Sequence, residues 1–183
     1  MPTIAGLIFL ALALTIIISG SRQIYNILIR GHAPFVFSRR RAIKKIIADL
    51  NLADGQIFYE LGAGGAPLLR RLAGRYPQVK FVGLEYAFIP WLLGTILCLP
   101  YRNIKINKQN FWRADLSQAD FIYCFLNVRV MAELENKLTT ETKNKATIIS
   151  YIFRLPNTEP AKILEIGQEK IYFYEVNRLD KSN

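Results

Sequence analysis

Cysteine and histidine are nearly missing from this chain, which holds two cysteines, Cys98 and Cys124, and one histidine, His32, in 183 residues. The cysteines lie in apolar surroundings with no Cys-x-x-Cys, so a disulfide framework and a thiolate-rich zinc centre are not indicated and no metal is expected. Reduced conditions fit such a chain. His32 stands in a Gly-His-Ala loop and reads as a structural or surface residue. Acids are missing from residues 22–45, where Arg22, Arg30, Arg39, Arg40, Arg41, Lys44 and Lys45 supply most of the net charge of +10. Charge of either sign is absent from residues 2–21 and again from residues 86–101. There is no internal repeat and no low-complexity stretch. With half of its residues apolar, the chain can bury a full single-domain core and carry an appendage.

The first charge-free run is twenty residues long and rich in Leu, Ile and Ala. As a helix it would measure about 30 Å, the thickness of a bilayer's hydrocarbon core. A transmembrane anchor is the expectation. A cleaved signal peptide and a buried core helix are the alternatives; the former normally has a basic leader, which this chain lacks, although Ser19-Gly20-Ser21 is compatible with a cleavage site. Positive charge flanks only the C-terminal side, which places residues from Arg22 onward in the cytoplasm of a single-pass protein. The basic stretch then faces anionic lipid head groups. No nucleic-acid partner is expected, because the patch lacks interleaved stacking aromatics.

Beyond the basic stretch, a hydrophobic strand from Gln56 runs into Glu60-Leu61-Gly62-Ala63-Gly64-Gly65, followed by a helix-compatible stretch and a second strand, Lys80 to Glu85. This is the spacing of a β-α-β unit that holds an adenosine-bearing cofactor. Gly62 and Gly64 remove the β-carbons that would keep a ligand off the backbone. Glu85, at the tip of the second strand, can accept both hydroxyls of a ribose. Glu60 argues against a nicotinamide site, where that position is normally apolar and a third glycine stands where this chain has Pro67. An acid there suits a cationic amino-acid moiety, and so S-adenosylmethionine rather than a dinucleotide. A glycine-rich turn that binds nothing is the alternative.

Further along, Ser38 is placed to cap a helix in which Ile43, Ile46, Ile47 and Leu50 recur at helical spacing. Helices are expected from Pro67 to Gly74, Trp91 to Leu99 and Val128 to Leu138. Strands are expected at Asn103 to Asn107, Asp120 to Leu126 and Ala146 to Phe153, with a terminal hairpin around Gly167-Gln168. Alternating strands and helices imply a parallel sheet with right-handed crossovers. The domain boundaries read as an anchor over 1–21, a basic connector and helix over 22–50, and a cofactor-binding domain over 51–183.

The acid-x-Gly-x-Gly of Glu60 to Gly64 resembles the first motif of class I S-adenosylmethionine-dependent methyltransferases. Several further stretches narrow the likeness: Ala33-Pro34-Phe35-Val36, Gly83-Leu84-Glu85 with Pro90-Trp91, and Asn110-Phe111-Trp112-Arg113-Ala114-Asp115-Leu116-Ser117. Leu134, Lys137 and Leu138 also fit, as does Ile149-Ser150-Tyr151-Ile152-Phe153. Together they resemble small membrane-anchored protein-lysine methyltransferases, among them the enzymes that modify lysines in ATP synthase and in the adenine nucleotide translocase. The likeness covers roughly residues 30–175. It departs at Gly65-Ala66, where the class usually has an acid and a glycine, and at Asn127-Val128-Arg129, where a proline is usual.

The resemblance implies a Rossmann-like fold: a mostly parallel seven-stranded sheet with a C-terminal antiparallel hairpin, preceded by the transmembrane helix. It implies that Glu60 orients the methionine end of the cofactor, that Gly62, Ala63 and Gly64 line it, and that Glu85, with Tyr86 beside it, holds the ribose. Asn110 or Asp115, with Phe111 and Trp112, would sit near the adenine, unless the two rings are ordinary core. Phe125, Leu126 and Asn127 would flank the acceptor, with Asn127 alternatively a helix cap. Methyl transfer to an amine is an in-line displacement that needs alignment and a dry site. A lysine acceptor must be neutral, which burial favours. The expected activity is protein-lysine methylation of a membrane protein at the bilayer. Methylation of a lipid amine or a hydrophobic small molecule is one alternative; a tethered binding protein with a degenerate pocket is the other. The Asn/Asp-Pro-Pro-aromatic motif of adenine and glutamine N-methyltransferases is missing.

Overall fold

The β-α-β unit forms where the glycine motif lies. Strand β1 (Ile57–Leu61) leads through the glycine loop into helix α3 (Pro67–Arg75), which returns the chain to β2 (Lys80–Glu85). Pro67 opens the helix at a position whose N–H would have no helical partner anyway. In this computed structural model, which describes residues 3–28 and 39–176, two helices precede the unit: α1 (Ile4–Leu28) and α2 (Arg40–Asp49). After β2 come α4 (Phe88–Cys98), β3 (Ile104–Lys108), a 3-10 turn at Phe111–Arg113 and β4 (Phe121–Cys124). A second 3-10 turn (Val128–Val130) leads into α5 (Met131–Glu141), then β5 (Thr147–Tyr151) and the hairpin β6 (Lys162–Ile166) and β7 (Glu169–Glu175).

The seven strands form one sheet in the order β3-β2-β1-β4-β5-β7-β6. All neighbouring pairs up to β5 are parallel, and β7 enters antiparallel to both β5 and β6. Strand order reverses between β1 and β4, which opens a crevice beyond their carboxyl ends; α/β sheets bind ligands at such a switch point. One face of the sheet is covered by α2, α3 and α4 through Ile43, Ile46, Leu68, Leu72 and Cys98, packed over Phe58 and Phe81. The other is covered by α5 through Met131, Leu134 and Leu138, packed over Ile122 and Ile148. Each such fully buried side chain contributes about 1.5–3 kcal/mol.

The α/β sheet and the terminal hairpin are as expected; the membrane-spanning helix is not. Among the described residues no helix is long and apolar enough to cross a membrane. Helix α1 spans Ile4–Leu28, and its sequence turns from Leu, Ile and Ala to Ser19-Gly20-Ser21 and then to Arg22 and Gln23. Counting residues 2–21 as one apolar span took in Ser19-Gly20-Ser21, which closes the run with polar and small residues.

Boundaries shift elsewhere for local reasons. Helix α2 starts after Arg39, with no side-chain cap; Ser38, His32, Arg30 and residues 33–36 lie outside the described residues. Helix α4 begins at Phe88 rather than Trp91, since Pro90 is harmless in a first turn. Strand β4 stops at Cys124, and the helix expected from Val128 begins as a 3-10 turn. Helix α1 forms one compact unit, and everything from α2 onward forms another.

Candidate active site

The two carboxylates and the glycine loop of the crevice come from the carboxyl ends of β1 and β2 and from the loops that follow. Gly62 sits at φ 74° and Gly64 at φ 51°. The Gly62 and Ala63 N–H groups donate to the Leu84 carbonyl at 2.8 and 3.1 Å, tying the loop to the end of β2. Ala66 closes the turn by donating to the Ala63 carbonyl at 2.7 Å, and it does so at φ 50°. The class usually has glycine here; alanine holds the same left-handed backbone at a cost of about 1–2 kcal/mol. The departure at Gly65-Ala66 therefore leaves the loop in place.

Glu85 is buried at the tip of β2, and both of its oxygens point at the loops. Oε2 accepts from the Gly64 N–H at 3.0 Å and Oε1 from the Ala87 N–H at 2.8 Å. Each oxygen keeps a further lone pair, so the carboxylate can still accept two hydroxyls. Burial pushes its pKa up, against the pull of the Ala87, Gly64 and Tyr86 backbone donors.

Glu60 is the outlier of the site. It is 4% exposed, and its Oε2 is buried with no hydrogen-bond partner. Burial first, with the Glu85 charge adding to it, pushes its pKa up to about 8 in spite of a backbone donor at Leu69. An orphaned buried acceptor costs about 1–3 kcal/mol, so the position demands a donor, and a cationic one best. The α-ammonium of a methionine moiety is such a group, and S-adenosylmethionine fits the residues present. The other buried side-chain atom without a partner among the described residues is Arg70 Nε, on the first turns of the helix that leaves the same loop.

The adenine-side residues gather on the loop after β3. Asn110 Oδ1 accepts from the Trp112 N–H at 3.0 Å and Asp115 Oδ1 from the Ser117 N–H at 2.8 Å, each fixing a turn. The backbone and side-chain donors of Ser117, followed by the Lys137 charge, lower the pKa of Asp115. Phe111 and Trp112 are half-buried, with ring centroids 4.8 Å apart, and pack against the α5-side core. Tyr86 is exposed next to Glu85. On the acceptor side, Phe125 packs on Tyr151 with ring centroids 4.7 Å apart. Leu126 Cδ2 lies 3.6 Å from where a Cβ on Gly62 would stand. Asn127 Oδ1 accepts from the Arg129 N–H at 2.8 Å, so the structure displays its capping role.

Two supporting roles escaped the sequence reading. A Cβ on Gly94 would stand 2.2 Å from the Gly64 carbonyl oxygen, so α4 lies directly on the cofactor loop. The signal was present, as a lone glycine in an otherwise bulky apolar helix. Lys137 is buried on α5; its Nζ donates to the Ala114 carbonyl at 3.0 Å and pairs with Glu141 at 2.5 Å, anchoring the adenine-side loop. Its motif was visible in the sequence, but its partner was not.

A Rossmann-like sheet with this strand order, an acid-x-Gly-x-Gly loop at its switch point and a carboxylate capping β2 define the class I S-adenosylmethionine-dependent methyltransferases. Solved structures agree on the fold: an RNA methyltransferase from Salinibacter ruber superposes with a TM-score of 0.74 over 81% of this chain and 98% of its own, at 14% identity. The family model of the ANTKMT methyltransferase domain matches residues 60–162, and the chain belongs to that family. It is 23% identical to the mouse adenine nucleotide translocase lysine N-methyltransferase, over 81% of this chain and 66% of the relative. It is likewise 23% identical to a protein-lysine N-methyltransferase of Saccharolobus islandicus, over 79% of this chain and 94% of the relative. Against a human lysine N-methyltransferase of ATP synthase the identity is 22%, over 79% and 62%. The chain thus spans about two thirds of the length of the mammalian relatives.

Proposed function

We propose that this chain is a protein-lysine N-methyltransferase whose substrate is a membrane-associated protein, met at the cytoplasmic surface of the membrane. The observation that carries the reading is the orphaned Glu60 Oε2 beside the glycine loop, a buried acceptor that an amino-acid cation would complete. The lysine assignment draws on the names of the relatives, each of which is a lysine methyltransferase.

The cofactor supplies an electrophilic methyl group; the chain supplies position and dryness. Glu60 would hold the methionine ammonium, the Gly62–Gly64 backbone would lie along it, and Glu85 would hold the ribose hydroxyls. Asn110 and Asp115 turn the loop in which Phe111 and Trp112 would lie beside the adenine. Phe125 and Leu126 make the acceptor end apolar, which favours the neutral amine over the ammonium, the form with a lone pair for attack.

Calorimetric titration with S-adenosylhomocysteine tests the pocket, with Glu85→Ala as control. Transfer of tritium from labelled cofactor into protein, rather than into an organic extract, tests the substrate class. Micromolar binding lost in the variant, with label in a membrane-protein fraction, is the expected result. A folded chain that binds no S-adenosylhomocysteine would overturn the reading.

A further inference from the structure

The outer surface of the helix layer formed by α2, α3 and α4 is divided between two chemistries. Helix α4 has no charged residue, and while Gly94 and Cys98 face inward, Phe88, Ile89, Leu92, Leu93, Ile96 and Leu97 are exposed, Ile96 by 54%. The neighbouring helices expose cations instead: Arg40, Arg41, Lys44 and Lys45 on α2, Arg71 and Arg75 on α3. The one acid of α2, Asp49, is paired with Lys162, and α3 and α4 contain none. At the start of α4, Lys108 Nζ lies 4.9 Å from the ring centroid of Phe88 and 6.0 Å from that of Trp91.

From this arrangement we infer that the α2–α3–α4 surface docks on an anionic lipid bilayer, with α4 lying in the interface. A charge-free helix face this large on one layer with six exposed cations has the composition of an interfacial element, in which apolar side chains enter the head-group boundary and cations meet lipid phosphates. The polar side chains of α4 are already committed: Thr95 Oγ1 donates to the Trp91 carbonyl, and Trp91 Nε1 to the Ile106 carbonyl. The face therefore lacks the polar groups that would register a specific protein partner. A second copy of the chain would set the same unopposed cations against one another. Docking there carries the cofactor loop with it, because Gly94 of α4 rests on the Gly64 carbonyl. The inference rests on the proposed function only for its purpose, which is to bring the acceptor side of the crevice to a lysine held at the membrane.

The test places a nitrobenzoxadiazole fluorophore on Ile96→Cys in the full chain, where both native cysteines are buried, and on Glu133→Cys, exposed on α5, as control. Vesicles of phosphatidylcholine mixed with phosphatidylglycerol should raise and blue-shift the emission from position 96 and leave position 133 unchanged. Lys45→Ala should raise the half-saturating lipid concentration about fivefold, the effect of removing one basic residue from an anionic surface. Three results would overturn the inference. One is co-sedimentation with no response at position 96; another is an equal response to pure phosphatidylcholine. The third is a response that follows protein concentration without lipid, which would mark a contact between copies. S-adenosylhomocysteine titrated into the same samples separates the two proposals: binding retained without a lipid response removes the docking surface alone.

Discussion

The position that distinguishes this site is Glu60, a carboxyl that the folded chain holds mostly protonated until a cation arrives. Its pKa of about 8 ties cofactor affinity to pH. Between about pH 5 and pH 7, S-adenosylhomocysteine should bind about tenfold more tightly per unit rise, because only ionised Glu60 attracts the ammonium. Glu60→Gln should flatten that slope and bind weakly throughout; a mutant that keeps the wild-type pH dependence in calorimetry would remove Glu60 from the site. A second expectation concerns Ala66. With φ at 50°, Ala66→Gly should relieve left-handed strain and add up to about 1 kcal/mol of stability, less the entropy of a freer unfolded chain. Denaturant midpoints would measure it, and no gain would mean that the turn is unstrained. The carboxylates and glycines were legible in the sequence because their types and spacing are the motif. The orphaned oxygen was not, since burial and missing partners are properties of what packs around a residue.

Among the elements, α4 and α5 act on the site without entering it. Gly94→Ala would put a methyl 2.2 Å from the Gly64 carbonyl oxygen, so α4 must withdraw or the loop must move. Overpacking of this kind costs about 1–3 kcal/mol, and we expect cofactor affinity to fall by at least about tenfold. Gly74→Ala, in open space on α3, is the matched control. On the other face, Lys137→Met removes the donor that holds the Ala114 carbonyl. It should lower stability by about 1–3 kcal/mol and weaken cofactor binding, while truncating its exposed partner in Glu141→Ala should do less. Element existence and type were readable from apolar spacing. Boundaries moved where a local device intervened: the proline in the first turn of α4, and the Asn127 side chain that converts the start of α5 into a 3-10 turn. The N-terminal helix was misjudged for a different reason, since absence of charge marks an apolar segment, while crossing a membrane also demands length in a continuous apolar helix.

For the molecule as a whole, Glu60 links stability to pH with a definite sign. Its pKa is raised from the ordinary 4.5 to about 8 on folding, so between those values the folded chain holds a proton that the unfolded chain has lost. The contribution of Glu60 to the stability of the ligand-free protein is therefore fully present below about pH 4.5 and is lost as pH rises through about 8. Thermal melts of the wild type should show that decline relative to Glu60→Gln, and S-adenosylhomocysteine should reverse it by pairing the ionised carboxylate. Parallel pH profiles for the two proteins would contradict the buried state of Glu60 with its unpartnered Oε2. The sequence alone determined the alternation of strands and helices, the glycine loop with its two acids and the concentration of cations ahead of them, because these are matters of residue type and spacing along the chain. Only the tertiary structure decided that α4 rests on the cofactor loop, that Lys137 anchors the adenine side, that Glu60 Oε2 lacks a partner and that cations and an apolar helix share one outer surface. Those depend on which residues distant in sequence are brought together by the order of strands in the sheet.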